Sequence, residues 1–221
     1  MTPTVEHEKG FGVILEATAE LIIEALKSSP YSAVASAAVL QSALLIEAAA
    51  NCCIYDLQLN RKLSNELDRL PSLTKLDLFL LIRTGGKKTI DRGMSLYHDV
   101  TELKNIRDRA VHPKMSRIMW TQVDADNAFG EHEKTPRLGI NLTNLSWSVD
   151  DAIKAFKAAN RFLDSFFREL CGMSRKEVRI LLLAPIGDDA VEDIFLSTEQ
   201  LKNLQEDHGI PLTYVGVGIN E

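Results

Sequence analysis

Apolar residues recur at helical spacing over most of the chain. In residues 11–28 they repeat at helical spacing: Val13, Leu15, Ala17, Leu21, Ile22, Ala25 and Leu26. Pro30 and Ser32 then open a longer segment running to about Leu59. Its alanines lie on several faces, so a neighbouring helix can approach closely and the segment reads as the central element of a bundle. Pro71-Ser72 suits the start of a shorter helix through Ile82, ending at Gly85-Gly86. A further helix is expected from Ile90 to Val111, where Leu96, Val100, Leu103, Ile106 and Ala110 form its apolar stripe. Residues 113–145 are less regular, with a helical reading for Thr121–Phe129 and a loop from Gly130 to Asn144. Ser148-Val149-Asp150-Asp151 resembles a capping box and predicts a helix through about Leu170.

From Arg175 the period changes. The Val-Arg-Ile-Leu-Leu-Leu run within Glu177–Ala184, bounded by Pro185 and Gly187, reads as a buried strand. Ser197-Thr198-Glu199-Gln200 starts a short helix that stops at His208-Gly209. Leu212–Ile219 reads as a second strand, and Val191–Leu196 as a possible third. The expectation is therefore a mainly α protein: a helical bundle over residues 1–173 and a small β-α-β appendage over 174–221, packed on the bundle or on a partner.

The motif helix carries the candidate chemistry. Arg107 points into its apolar stripe, between Val100 and Leu103, where an unpaired guanidinium would cost several kcal/mol. Its place implies a partner, a cavity or an interface. His112 precedes Pro113, and the residue before a proline is pushed out of the α region, so the helix should end near Val111 with the imidazole swung off its spiral. Two readings compete. In one, Arg107 is salt-bridged to a core acid such as Glu47 and His112 merely caps the last carbonyls. In the other, the pair handles phosphate: a rigid cationic fork matches phosphoryl oxygens, and an imidazole titrating near neutrality moves a proton. Asp108, one turn before His112, is the candidate for orienting the imidazole. Glu47 and Asn51, one turn apart on an apolar helix, are the candidate supports of the guanidinium, unless both simply face solvent.

Arg107-Asp108-x-x-x-His112, at the end of a helix that follows a long apolar one, resembles the R-polar-x(3–5)-H signature of the HEPN superfamily. Where that pattern most often has Asn after the Arg, this chain has Asp108. The resemblance implies a HEPN-like antiparallel helical bundle, a homodimer with two motifs facing each other, and a metal-independent endoribonuclease of toxin or defence systems. It makes Arg107, Asp108 and His112 the catalytic residues, needs no cofactor, and suggests RNA, an antitoxin or another protein as partner. A non-catalytic HEPN-like module that binds nucleotide, RNA or protein is the alternative.

The 221 residues carry a net charge of −6, which argues against a general polyanion-binding surface. Any positive field must be local, and Arg109, Lys114 and Arg117 beside the motif are the candidate substrate-binding cations. Cys52 and Cys53 are adjacent on a helix, and Cys171 stands apart. They read as small buried hydrophobes in a reducing cytoplasm rather than as a bridge or metal ligands. The acidic N-terminus does not resemble a signal peptide, and Gln41, Glu47 and Asn51 interrupt the alanine-rich helix, so no membrane span is expected. Gly85-Gly86-Lys87-Lys88-Thr89 lacks the earlier glycine and preceding strand of a phosphate-binding loop.

Overall fold

The computed structural model describes residues 9–29, 31–112, 115, 117–122, 128–184 and 198–218. It is mainly helical, with one small hairpin in the middle. The helices are α1 (Gly10–Lys27), α2 (Ala33–Asp56), α3 (Arg61–Leu67), α4 (Ser72–Arg83), α5 (Ser95–Val111), α6 (Val149–Asp164), α7 (Arg175–Leu182) and α8 (Thr198–His208). Strands β1 (Ile118–Gln122) and β2 (Ala128–His132) pair antiparallel, with Trp120 opposite Gly130.

The central helix is α2, as its alanines suggest. The Ser32 hydroxyl caps it by accepting the Ala35 N–H at 3.1 Å. Ala35, Ala38, Ala49 and Ala50 are buried, and α1, α4, α5 and α6 all pack against it. Over its 24 residues it is long and apolar enough to cross a membrane, and half of that apolar stretch is buried within this fold. The Ser148 capping box forms as read: the Ser148 hydroxyl accepts the Asp151 N–H, and Asp151 accepts the Ser148 N–H at 3.0 Å. Beyond Asp164 the helix widens into a π turn over Ser165–Leu170, which buries Phe166 and Phe167 side by side.

Two expectations for the tail fail. Glu177–Ala184 is not a strand: α7 covers most of it, opened by a second capping box in which the Ser174 hydroxyl accepts the Glu177 N–H and Glu177 accepts the Ser174 N–H at 2.7 Å. Val178, Leu181 and Leu182 then fall at i, i+3 and i+4 and are buried, so the apolar run is one helical face. These bonds, with an Arg83 guanidinium contact at 2.7 Å, hold the Glu177 carboxyl down at about 2. Nor is Leu212–Val217 a strand. It makes a 3₁₀ turn at Thr213–Val215, ended by Gly216 at φ 88° and followed by Gly218 at φ 77°, values that favour glycine and break an extended run. Val191–Leu196 lies outside the described residues. The tail that is described is therefore helical, and Leu201, Leu204, Ile210, Leu212 and Tyr214 join the same core as the bundle.

The helical reading of Thr121–Phe129 is also corrected, since its described ends belong to β1 and β2. Ile118, Trp120 and Thr121 favour a pleated strand over so short a helix. The loop after the hairpin is pinned to α5. Glu102 is buried and accepts the backbone N–H of Arg137 and of Leu138, while the Arg137 Nε donates to buried Asp99 at 2.6 Å. This clamp fixes the face of α5 that the apolar stripe does not.

Candidate functional site

Helix α5 is held by its stripe: Val100, Leu103 and Ile106 are buried, and Leu96 and Ala110 pack against the core. Arg107 emerges at the edge of that stripe, facing α2. Its Nη2 donates to the Glu47 Oε2 at 3.1 Å, and its Nε lies 3.4 Å from the Asp108 Oδ1. The Arg107 and Glu47 side chains are 30% and 42% exposed, so the pair is a rim contact and contributes at most about 1 kcal/mol to stability. Its consequence is geometric: the guanidinium has a fixed direction and remains reachable from solvent.

Asp108 is drawn elsewhere than to the imidazole. Its Oδ2 accepts from the Lys104 Nζ at 2.6 Å, one turn back, while Oδ1 faces Arg107. Its bond toward His112 is through the backbone, the His112 N–H donating to the Asp108 carbonyl at 2.9 Å. Helix α5 ends at Val111, as the following proline predicts, and His112 leaves the spiral at φ −119°, ψ 77° with its side chain exposed. Arg109 sits half-buried in the last turn, where a cation faces the negative end of the helix dipole. Arg117 is exposed beyond the helix, and Lys114 lies outside the described residues.

Glu47 also lines a cleft of about 410 Å³ between the start of α1 and the second half of α2, walled by Ile14, Leu44, Ala48 and Tyr55, with Lys9 and Asn51 at its polar edge. Lys9 donates to the Ile180 carbonyl at 2.7 Å, and burial lowers its ammonium pKa. Asn51 does not support Arg107. Its Oδ1 accepts at 2.7 Å from Lys75, a buried ammonium that also meets Asp68 at 3.3 Å. The site thus gathers Glu47, Arg107 and Asp108 side by side, places His112 at the helix exit, and leaves Asn51 in a separate polar contact.

The three cysteines are free and buried. Burial pushes the Cys52 thiol up to about 11 and the Cys171 thiol up to about 12, with Cys53 well raised too. Since the thiolate is the reactive form, the native chain should react with an alkylating reagent at neutral pH only as fast as it opens. All three cysteines should label together in denaturant, a contrast readable by intact mass; rapid native labelling of Cys52 would contradict its burial. Among the described residues, no three His, Cys, Asp or Glu side chains converge as metal ligands.

Sequence reasoning missed Lys75, the Asp99–Glu102–Arg137 clamp and Lys9. Each depends on a partner brought from elsewhere in the chain by the packing of the helices, and no local spacing announces that. Comparison of the chain with known protein families, with curated proteins and with solved structures finds no match.

Proposed function

We propose that this chain is a HEPN-like ribonuclease that cleaves single-stranded or looped RNA by attack of a ribose 2′-hydroxyl on the adjacent phosphorus, and that it acts as a homodimer. The observation that carries this reading is the solvent-reachable Arg107, aimed by Glu47 and Asp108, on the same helix end that projects His112. A neutral imidazole at His112 takes the 2′-hydroxyl proton as the P–O2′ bond forms. Charge grows on the non-bridging oxygens, and the Arg107 fork receives it. The P–O5′ bond breaks, the 5′-oxygen takes a proton from the His112 imidazolium, which returns to its neutral form, and the products are a 2′,3′-cyclic phosphate and a 5′-hydroxyl. A second copy related by a two-fold axis would bring a second pair of motifs to the cleavage point and double the local cationic charge. Glu47, which touches no reacting atom in this scheme, positions the guanidinium.

Incubation of the purified protein with single-stranded RNA in EDTA is expected to yield 2′,3′-cyclic ends, and His112→Ala is expected to abolish them. RNA that stays intact across many substrates would overturn the reading. A second reading has an observation of its own. Arg107 already meets two carboxylates, and Asp108 is engaged by Lys104, an arrangement suited to holding a helix end as well as to chemistry. Under that reading the chain is a binding module for nucleotide, RNA or a protein partner, and His112→Ala changes nothing.

A further inference from the structure

Two surface features flank the motif. The first is the cleft of about 410 Å³ between α1 and α2, within the range of about 300–1,000 Å³ usual for ligand pockets. Its walls include Ile14, Leu44, Ala48 and the half-exposed Tyr55. Glu47 belongs both to this cleft and to the Arg107 contact, so the cleft opens beside the motif. Glu47 and Lys9 give its edge one charge of each sign.

The second feature is the hairpin. All five residues of β1 are exposed, with Trp120 at 68%, whereas the chain's other tryptophan, Trp147, is at 1%. A two-stranded hairpin is marginal in water, so these apolar side chains do little for the fold. Among the described residues β1 pairs only with β2, and its Ile-Met-Trp-Thr-Gln sequence has no charge or proline of the kind that guards an open edge. Ile118 and Trp120 share one face. A Cβ at Gly130, across the ladder, would stand 3.0 Å from the Ile118 Cγ2 and 3.2 Å from the indole Cζ3.

Cleft and hairpin match in reach, in charge and in symmetry. Trp120 follows His112 by eight positions, so the two lie within roughly 28 Å at full extension. In a dimer whose motifs face each other, the hairpin leaving one His112 starts beside the Glu47 and the cleft of the other copy. From Arg109 to Gln122 the chain has Arg109, Lys114 and Arg117 and no Asp or Glu. From Val123 to Glu133 it has Asp124, Asp126, Glu131 and Glu133 and no Lys or Arg. A basic approach and an acidic return thus meet an edge that offers Glu47 to the one and Lys9 to the other. Two copies of net charge −6 repel at a distance, so charge sets the orientation and apolar burial must hold the contact. The exchange is reciprocal, and a two-fold axis closes it at two copies.

We propose that two copies of this chain exchange hairpins, the Ile118–Trp120 face of each seating in the α1–α2 cleft of the other. The proposal rests on the homodimer of the RNA-cleaving reading and adds the surfaces that make it. Each copy then packs an indole beside the Glu47 that aims the other copy's Arg107.

Sedimentation of the full chain over a dilution series reads the dimer, and RNA cleavage in EDTA is assayed on the same preparations. The parent is expected to dimerise, with Trp120 emission moving to the red on dilution while buried Trp147 stays constant. Trp120→Ala, which removes the anchor, and Ala48→Phe, which fills the cleft, are each expected to raise the dissociation constant at least about 30-fold. Tyr55→Ala, at the exposed wall, weakens the dimer without disturbing the core and carries the cleft arm if Ala48→Phe does not fold. An equal mixture of Trp120→Ala and Ala48→Phe is expected to regain a dimer, since one intact hairpin meets one open cleft. A parent that stays monomeric, or a dimer that either Trp120→Ala or both cleft variants leave unchanged, overturns the exchange. Loss of the dimer in Trp120→Ala but in neither cleft variant joins hairpin to hairpin and overturns it too. Cleavage by the parent in any of these cases leaves the ribonuclease chemistry standing. A parent dimer that the variants break and the mixture restores, with RNA left intact throughout, keeps the exchange and removes the nuclease.

Discussion

Tyr214→Ala is expected to destabilise the whole protein by about 3–5 kcal/mol, rather than release a loose tail. The ring is fully buried and stacks on Phe167 at a centroid distance of 6.4 Å, within a line of aromatics that continues through Phe166 to Phe162. Its hydroxyl donates to the Asn160 Oδ1 at 2.8 Å, and the Asn160 amide donates to the Phe156 carbonyl at 2.8 Å. The substitution therefore leaves both a cavity and an unsatisfied buried amide oxygen. Domain stabilities run near 5–15 kcal/mol, so a loss of this size is a large share of the total. For a chain of this length it corresponds to a fall in Tm of roughly 6–20 °C, measurable by calorimetry and expected as a single transition. Tyr214→Phe isolates the polar part and should cost about 1–3 kcal/mol. A Tm within about 2 °C of the parent for Tyr214→Ala would mean that residues 198–218 are an appendage after all.

If the chain cleaves RNA as proposed, Arg107→Ala is expected to lower that cleavage about 10²- to 10³-fold while changing stability by less than about 1 kcal/mol. The two magnitudes separate for a physical reason. The Arg107–Glu47 pair is exposed enough for water to screen it in the resting protein, but a guanidinium facing a phosphorane meets full negative charge where substrate has displaced water. Arg107→Lys should recover little of the loss, because a point charge cannot match two oxygens at once. Cleavage assays beside denaturant melts of the same preparations read both quantities. Equal losses of activity and stability would make Arg107 a structural residue and favour the binding-module reading.

The elements that the sequence pattern announced are those whose signals are local. The first two helices start and stop close to where their apolar period and caps place them, and Ser148 and Asp151 form the capping box that their spacing implies. The exit of α5 at Val111 follows from the steric demand of Pro113 on the residue before it. The run within Glu177–Ala184 reads as a strand on apolar content alone and is a helix, because four to eight apolar residues fit a buried strand and a helical face alike. Ser174-x-x-Glu177, the same box as at Ser148, was the signal that resolves it.

The candidate site divides along the same line. Primary structure by itself determined that the chain is mainly α, that its alanine-rich segment is central, that Arg107 needs a partner and that His112 stands at a helix exit. All of these follow from periodicity, side-chain volume, the cost of burying charge and a proline's neighbour effect, which act within a few residues. Only the tertiary structure decided that Arg107 reaches Glu47, sixty positions away, while Asn51 on the same helix turns to Lys75. It alone decided that Asp99 and Glu102 are clamped by Arg137, and that Trp147 is enclosed while Trp120 is left in water. Those outcomes depend on which helix faces meet across the core, and a rotation of α5 by one residue, about 100°, would by itself break the Arg107–Glu47 pair and the Asp99–Glu102–Arg137 clamp.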